Sequence, residues 1–199
     1  MSRRRFLTAL ATAATLSVLL AGCSSDPLAE QYREGSSKGF IAGDGSWTEI
    51  PAAKRGDAVS WSGTTESGES VSSADYAGQV VVLNFWYASC APCRAEAPDL
   101  QKLNEEFDGK GAAFLGVNVR DRPANAIAFN ENYGITFPSV MDVDDGSMQL
   151  AFSGSIPPNA VPTTLVLDSS GRVSARILGR VSSPSILATF IRDAIAEGK

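Results

Sequence analysis

Two cysteines separated by two residues, Cys90 and Cys93, are the residues of this chain whose type and spacing could do chemistry. They follow an apolar run at residues 80–85, which predicts a buried strand. They precede residues 94–107, in which apolar side chains recur at helical spacing. The free amides at the start of a helix stabilise a thiolate, which is the species that attacks a disulfide. The pattern therefore predicts thiol–disulfide exchange.

The position of each cysteine predicts its role. We expect Cys90 at or just before the first helical turn, with an exposed sulfur beside the unpaired amides, and interpret it as the nucleophile. Cys93 lies three residues further on the same side of the helix, and we interpret it as the resolving thiol that releases the reduced partner. Only Ala91 and Pro92 stand between them, so no charged residue stabilises the thiolate further. This favours a reductant over a strong oxidant.

A cysteine pair with this spacing has two other uses besides thiol–disulfide exchange. A structural disulfide is one alternative, but a bridge that closes so short a loop stabilises little. A zinc site is the other, and it would need about four ligands. The chain has no histidine and only one further cysteine, Cys23, so no metal site is expected.

Composition narrows the function classes. The chain has 199 residues, 44% of them hydrophobic and 20% charged, as in globular proteins. The absence of histidine excludes Ser-His-Asp and Cys-His catalysis. A net charge of −5 disfavours nucleic acid as a partner.

The N-terminal residues predict export and a lipid anchor. Residues 1–22 combine an arginine-rich start with an apolar run, which is typical of a signal peptide of either the twin-arginine or the general secretory type. The run ends in Leu-Ala-Gly before Cys23, which resembles a bacterial lipobox and predicts lipidation of that cysteine. The alternatives are a plain signal peptide or an uncleaved membrane helix. A lipid would hold the protein on the extracytoplasmic face of the cell membrane.

The rest of the chain divides into a tether and one α/β domain. Residues 23–53 are rich in Ser, Gly, Asp and Lys and predict a tether. Part of it is expected to pack on the domain, because it contains five large apolar residues: Tyr32, Phe40, Ile41, Trp47 and Ile50. Residues 54–199 predict a hairpin, a βαβα run, an insertion and a final ββα unit. That order implies a mixed central sheet flanked by helices, with an N-terminal hairpin and a central insertion.

The chain resembles the thioredoxin superfamily, and within it the ResA/TlpA-like extracytoplasmic thiol–disulfide oxidoreductases. The resemblance covers about residues 55–197 and rests on four stretches taken together: residues 84–98, 116–119, 133–138 and 161–164. It implies a thioredoxin-like fold.

The resemblance also implies roles for particular residues. Pro162 matches the family's cis-proline, and the backbone of Val161 would then pair with an extended substrate segment. Glu96 matches a glutamate that handles protons near the thiols. Trp86 matches an aromatic residue that shields the site and contacts substrate. The alternatives are an ordinary trans proline, a solvated helix glutamate and a core tryptophan. Ala91 replaces an acidic residue of some members, which leaves the potential and the partner open.

The implied activity is that of a membrane-tethered protein disulfide reductase acting in cytochrome c maturation. Its clients would be protein thiols and disulfides such as those of apocytochrome c, and a CcdA-type membrane thiol transporter would donate electrons. The Cys90–Cys93 pair would be the redox group, without a further cofactor. A disulfide-forming oxidase and a non-catalytic thioredoxin-fold binding module are the alternatives. A peroxiredoxin is disfavoured because the stretch before Cys90 lacks the required threonine spacing.

Overall fold

The computed structural model describes residues 43–157 and 160–198. The predicted signal peptide, Cys23 and most of the predicted tether lie outside these residues. The strands are Trp47–Glu49 (β1), Ser62–Thr64 (β2), Ser70–Ser72 (β3), Val80–Trp86 (β4), Ala112–Asn118 (β5), Ser139–Met141 (β6), Thr163–Leu167 (β7) and Val173–Leu178 (β8). The α-helices are Ala91–Phe107 (α1), Pro123–Tyr133 (α2), Ser147–Ala151 (α3) and Pro184–Glu197 (α4), and short 3-10 turns occupy Ala52–Lys54 and Ser73–Tyr76. No helix of this described part is long and apolar enough to span a membrane.

The described strands form a six-stranded mixed sheet in the order β1-β8-β7-β4-β5-β6 and a separate two-stranded sheet of β2 and β3. The β4–β5 and β5–β6 pairs are parallel, while β7 pairs with β4 and β8 in antiparallel fashion. This is the predicted thioredoxin-like arrangement. The predicted insertion between α2 and β7 supplies β6, an edge strand of the sheet, and the short helix α3.

The central strand β4 is buried on both faces, which explains its continuous apolar sequence. Successive side chains of a strand point to opposite faces. Val80 and Val82 therefore join a cluster with apolar residues of α1 and α4, among them Leu100 and Leu187. The alternate residues of β4 face a second cluster, which also contains Trp61, Met148 and Phe152.

The domain begins earlier than the predicted boundary between residues 53 and 54. Trp47–Glu49 pair with β8, with Trp47 opposite Ile177, so part of the predicted tether belongs to the sheet. The Trp47 ring also lies against Phe190 of α4, with centroids 5.5 Å apart. Ile50 packs on the second core cluster. The prediction that part of the tether packs on the domain is confirmed for Trp47 and Ile50, while Tyr32, Phe40 and Ile41 lie outside the described residues.

The hairpin is fixed to the sheet edge by one carboxylate. Glu66, in the turn between β2 and β3, accepts hydrogen bonds from the Ser139 amide at 2.7 Å and the Asn130 side chain at 3.0 Å. A backbone bridge between Thr65 and Val140 adds to this contact. Turn, edge strand and α2 are thereby held together beside the end of β4.

Candidate active site

Cys90 and Cys93 form a disulfide at the start of α1, with their Cα atoms 5.3 Å apart. Cys90 is the N-cap residue, and its sulfur accepts a hydrogen bond from the Cys93 amide at 3.2 Å. Pro92 occupies the first turn, where its missing N–H has no intrahelical partner to lose. The Cys90 amide donates to the Tyr87 carbonyl at 3.1 Å, which closes the turn between β4 and the helix. The predicted strand-to-helix setting of the motif is confirmed.

The predicted exposure of the Cys90 sulfur is wrong for this disulfide-bonded state. Cys90 is 0% exposed and Cys93 is 2% exposed. Both pack in a cluster with Trp86, Tyr87 and Val161, three residues supplied by other parts of the fold. The two thiols are therefore distinguished by helix position rather than by exposure. Cys90 at the N-cap lies nearer the unpaired amides that stabilise a thiolate.

Glu96 is buried, so it is not the solvated helix glutamate that the sequence left open. It lies one turn after Cys93 and is 0% exposed. Its Oε1 accepts from the Asn84 side chain at 2.9 Å, and its Oε2 accepts from the Val181 amide at 2.8 Å. Burial raises the pKa of Glu96 to about 7, although both hydrogen bonds and the charge of Arg180 favour ionisation. The carboxyl group is thus poised to gain or lose a proton near neutral pH.

Asn84 is a site residue whose role the sequence analysis did not assign. Its Nδ2 donates to Glu96 and, at 3.1 Å, to the Thr164 hydroxyl, so it connects α1 to β7 through β4. The available sequence signal was that Asn84 is an amide side chain within the otherwise apolar run at residues 80–85. A buried amide needs hydrogen-bond partners, and these lie on α1 and β7, far from Asn84 in the sequence.

Asp121 is a second unassigned residue, and it holds the loop that precedes the cysteines. Its Oδ2 accepts from the Ala88 amide at 2.6 Å and from the Asn118 side chain at 2.9 Å. Arg94 donates to the Ala88 carbonyl at 3.3 Å. Both polar groups of the Ala88 backbone are therefore held, which fixes the approach to Cys90.

Trp86 is buried beside the cysteines, and its predicted contact with substrate stays a prediction. It is 4% exposed, and its Nε1 donates to the Ser139 hydroxyl at 3.2 Å. Its ring lies against Phe129, with centroids 4.3 Å apart. The core-packing interpretation is thus the one that the structure favours. Beside Trp86 and Cys93 lies a cavity of about 10 Å³, bordered also by Asn130.

The Val161–Pro162 peptide bond is cis, as the resemblance implied. The loop is fixed at both sides, because the Thr163 hydroxyl donates to the Ala160 carbonyl at 2.8 Å and the Gly179 amide donates to the Pro162 carbonyl at 2.8 Å. Val161 packs in the same cluster as the two cysteines. The predicted neighbourhood of the cysteines and the proline loop is confirmed, while pairing of a substrate with the Val161 backbone stays a prediction.

The aspartates at residues 142–145 cap a helix. The Asp142 carboxylate accepts from the amides of Met148 and Gln149 at 2.7 and 3.1 Å, and the Asp145 carboxylate accepts from the Ser147 amide at 2.9 Å. This arrangement holds the start of α3 against the end of β6.

Comparison with known proteins agrees with this geometry. Residues 55–176 match the AhpC/TSA family. Over 112 residues the chain is 36% identical to the thiol-disulfide oxidoreductase ResA of Geobacillus thermodenitrificans, a match that covers 56% of this chain and 62% of that relative. The chain thus spans less than two thirds of the length of this relative.

Two solved structures are similar over most of their length. A DsbF homologue from Corynebacterium diphtheriae is 35% identical with a TM-score of 0.66, and the match covers 76% of this chain and 94% of that one. A secreted thiol-disulfide isomerase from Corynebacterium glutamicum is 32% identical with a TM-score of 0.70, covering 79% and 96%. The implied resemblance to thioredoxin-fold thiol–disulfide oxidoreductases is confirmed.

Proposed function

The chain belongs to the AhpC/TSA family, and we propose that it is a thiol–disulfide oxidoreductase that reduces disulfides of proteins. One observation carries the proposal: a disulfide joins the N-cap residue of α1 to a residue in its first turn, beside a cis-proline loop. A structural bridge of three residues would stabilise the fold little. The relatives named thiol-disulfide oxidoreductase or isomerase support the same activity.

The reaction begins from the reduced pair. The Cys90 thiolate attacks one sulfur of the client disulfide, forming a mixed disulfide and releasing one client thiol. The Cys93 thiolate then attacks Cys90, which restores the Cys90–Cys93 disulfide and releases the second client thiol. Two electrons and two protons pass from the protein to the client in each cycle. A dithiol donor must reduce the pair again.

Glu96 is proposed to handle protons during the second step. Cys93 must lose its proton before it attacks, and a buried thiol surrounded by apolar side chains resists ionisation. A carboxyl group one helical turn away, with a pKa of about 7, is suited to take up and return a proton at neutral pH. Asn84 and the Val181 amide hold that carboxyl group in place.

The proposed location is the extracytoplasmic face of the cell membrane, with Cys23 carrying the lipid and the residues before β1 acting as the linker. The signal-like start and the lipobox-like sequence support this location. The proposed client is apocytochrome c, whose haem-attachment cysteines must be reduced, and the proposed donor is a CcdA-type thiol transporter. Both rest on the resemblance to ResA/TlpA-like proteins. A reductant is further supported by the uncharged Ala91-Pro92 between the cysteines.

An insulin-reduction assay with dithiothreitol as the electron donor tests the activity. The wild-type protein should accelerate precipitation of the insulin B chain, and Cys90→Ser should abolish this effect. Equal rates for the two proteins would indicate a non-catalytic binding module.

The reduction potential of the Cys90–Cys93 pair tests the direction of electron flow. A value near that of thioredoxin, about −270 mV, supports a reductase. A value near that of the oxidant DsbA, about −120 mV, would show that the protein instead forms disulfides.

A further inference from the structure

Four loops lie around the disulfide and are joined in two pairs by hydrogen bonds. The loop after β4 is bound to the loop after β5 through the Ala88 amide and Asp121, at 2.6 Å. The loop after β8 is bound to the proline loop through the Gly179 amide and the Pro162 carbonyl, at 2.8 Å, and to α1 through the Val181 amide and Glu96. Ala88, Val119 and Val161 of these loops pack in the same cluster as Cys90 and Cys93.

Arginines lie in the loops after β5 and β8 and in the helix turn beside the loop after β4, whereas the proline loop has none. We define the arginine rim as Arg94, Arg120, Arg122 and Arg180. Arg94 immediately follows Cys93 and is half-buried, with its guanidinium on the Ala88 carbonyl. Arg120 lies over the Tyr87 ring, 4.2 Å from the centroid. Arg122 and Arg180 are exposed, and the charge of Arg180 acts on Glu96.

Two carboxylates lie near these arginines, and both accept hydrogen bonds from the protein. Glu96 of α1 is buried, whereas Asp121 is half-buried and is bound to Ala88 and Asn118. Asp144 and Asp145 follow β6, the edge strand, which is separated from β4 by β5. The mouth of the site is thus basic, although the chain as a whole carries a net charge of −5.

We propose that the arginine rim selects client segments in which acidic residues flank the reactive disulfide. A localised charge opposite in sign to that of the protein attracts complementary segments, guides their encounter with the site and disfavours basic ones. The proposal rests on the exchange activity proposed above and specifies its substrate class. The chemical step is unchanged: the client disulfide gains two electrons and two protons, and Cys90 and Cys93 become the disulfide.

Three disulfide-cyclised peptides test the inference. They share one sequence except at the residues flanking the cysteines, which are Asp/Glu, Lys or Ser/Gln. The fully reduced protein, freed of reductant, is mixed with each peptide and the single-turnover rate is measured at low and at high salt. At low salt we expect the acidic peptide to react at least tenfold faster than the lysine peptide. The two rates should converge in about 1 M salt, where charges are screened beyond about 3 Å.

A paired charge reversal identifies the arginines as the cause. Arg122→Glu/Arg180→Glu should remove or invert the ratio of acidic to lysine peptide rates. The ratio is the readout because a change in the thiols themselves would alter all three rates together. Arg192→Gln is the matched control, since Arg192 is exposed on α4 and paired with Glu106 away from the disulfide. It should keep the wild-type ratio.

The outcomes separate the two proposals. If none of the three peptides is reduced, the exchange activity itself is refuted. If reduction occurs but the acidic and lysine peptides react equally, or the lysine peptide reacts faster, the arginine rim does not select acidic clients. An acidic preference that survives Arg122→Glu/Arg180→Glu unchanged would equally overturn the inference.

Discussion

The Glu96 carboxylate accepts a hydrogen bond from the Val181 amide, with Oε2 and N 2.8 Å apart. This bond joins the helix that carries both cysteines to the loop after β8. The same loop holds the proline loop through the Gly179 amide. One buried carboxyl group therefore links the helix that carries the redox pair to the loop that holds the cis-proline.

Glu96 should make the stability of the domain fall as pH rises. Its pKa is 4.5 in an ordinary setting and about 7 in the fold, so between these values the folded state binds more protons than the unfolded state. As far as Glu96 is concerned, the free energy of unfolding is therefore highest below pH 4.5 and falls until about pH 7. The difference in pKa between the folded and unfolded states corresponds to a loss of about 3 kcal/mol over this range.

Urea unfolding of wild type and Glu96→Gln across this pH range checks the effect. The free energy of unfolding of Glu96→Gln relative to wild type should increase with pH by up to about 3 kcal/mol. A constant difference would reflect packing alone and would contradict the raised pKa. Glu131→Gln, at an exposed position of α2, is the control and should give parallel curves.

Glu96→Gln should also lower the thiol pKa values of the reduced protein. An ionised Glu96 opposes formation of a second negative charge one helical turn away, and the amide keeps the shape without the charge. A nearby charge is worth about 1 kcal/mol in water and more where solvent is excluded, so a shift of about one pKa unit is expected. Thiolate absorbance during a pH titration measures it. Superimposable wild-type and variant titrations would show that Glu96 does not influence the thiols.

Cys93→Ser should trap a mixed disulfide between Cys90 and a client. The thiolate at the N-cap attacks first, and without Cys93 the intermediate has no internal route to release. Incubation with a peptide disulfide followed by mass spectrometry of the adduct identifies the linked cysteine. Cys90→Ser is the matched variant and should form little adduct. More adduct in Cys90→Ser than in Cys93→Ser would reverse the assignment.

Gly116→Ala should destabilise the domain by disturbing the packing of β5 against Ser139 and Trp86. A Cβ at this position would collide with the Ser139 hydroxyl and would lie 2.8 Å from Trp86 Nε1, the two partners of one hydrogen bond. We expect a loss of about 1–3 kcal/mol in the free energy of unfolding and a change in tryptophan fluorescence. Gly56→Ala is the control, because no atom lies within 4 Å of a Cβ built there. Equal stability of the two variants would contradict the close packing of β5 against Trp86.

Cys23→Ala should abolish fatty-acid labelling and release the protein from the membrane fraction. The Leu-Ala-Gly-Cys sequence at the end of the apolar run motivates this expectation. Metabolic labelling with a fatty-acid analogue in a bacterial host measures it. Cys90→Ala retains Cys23 and should be labelled as wild type. Labelling that persists in Cys23→Ala would show that a residue other than Cys23 carries the lipid.

Much of the fold could be predicted because its signals are local. The apolar runs of β4 and β5, the helical spacing after Cys93 and the glycine turn between β7 and β8 each lie within a few neighbouring residues. Their order then implied the mixed sheet. β1 was missed since its three residues are all exposed and its partner β8 lies about 130 residues later, so no local periodicity marks it.

The candidate site likewise combines features that neighbouring residues predict with features that depend on distant parts of the chain. The sequence by itself determined the redox pair and its place at a helix start, because spacing and residue type are sufficient to define them. The proline loop and Glu96 as a candidate came from the resemblance to a known family. Only the tertiary structure decided that both cysteines are covered in the disulfide state, that Glu96 is buried on Asn84 and Val181, and that Asp121 holds Ala88. Burial and pKa depend on groups that the fold brings together from distant parts of the chain, and these partners leave no pattern among neighbouring residues.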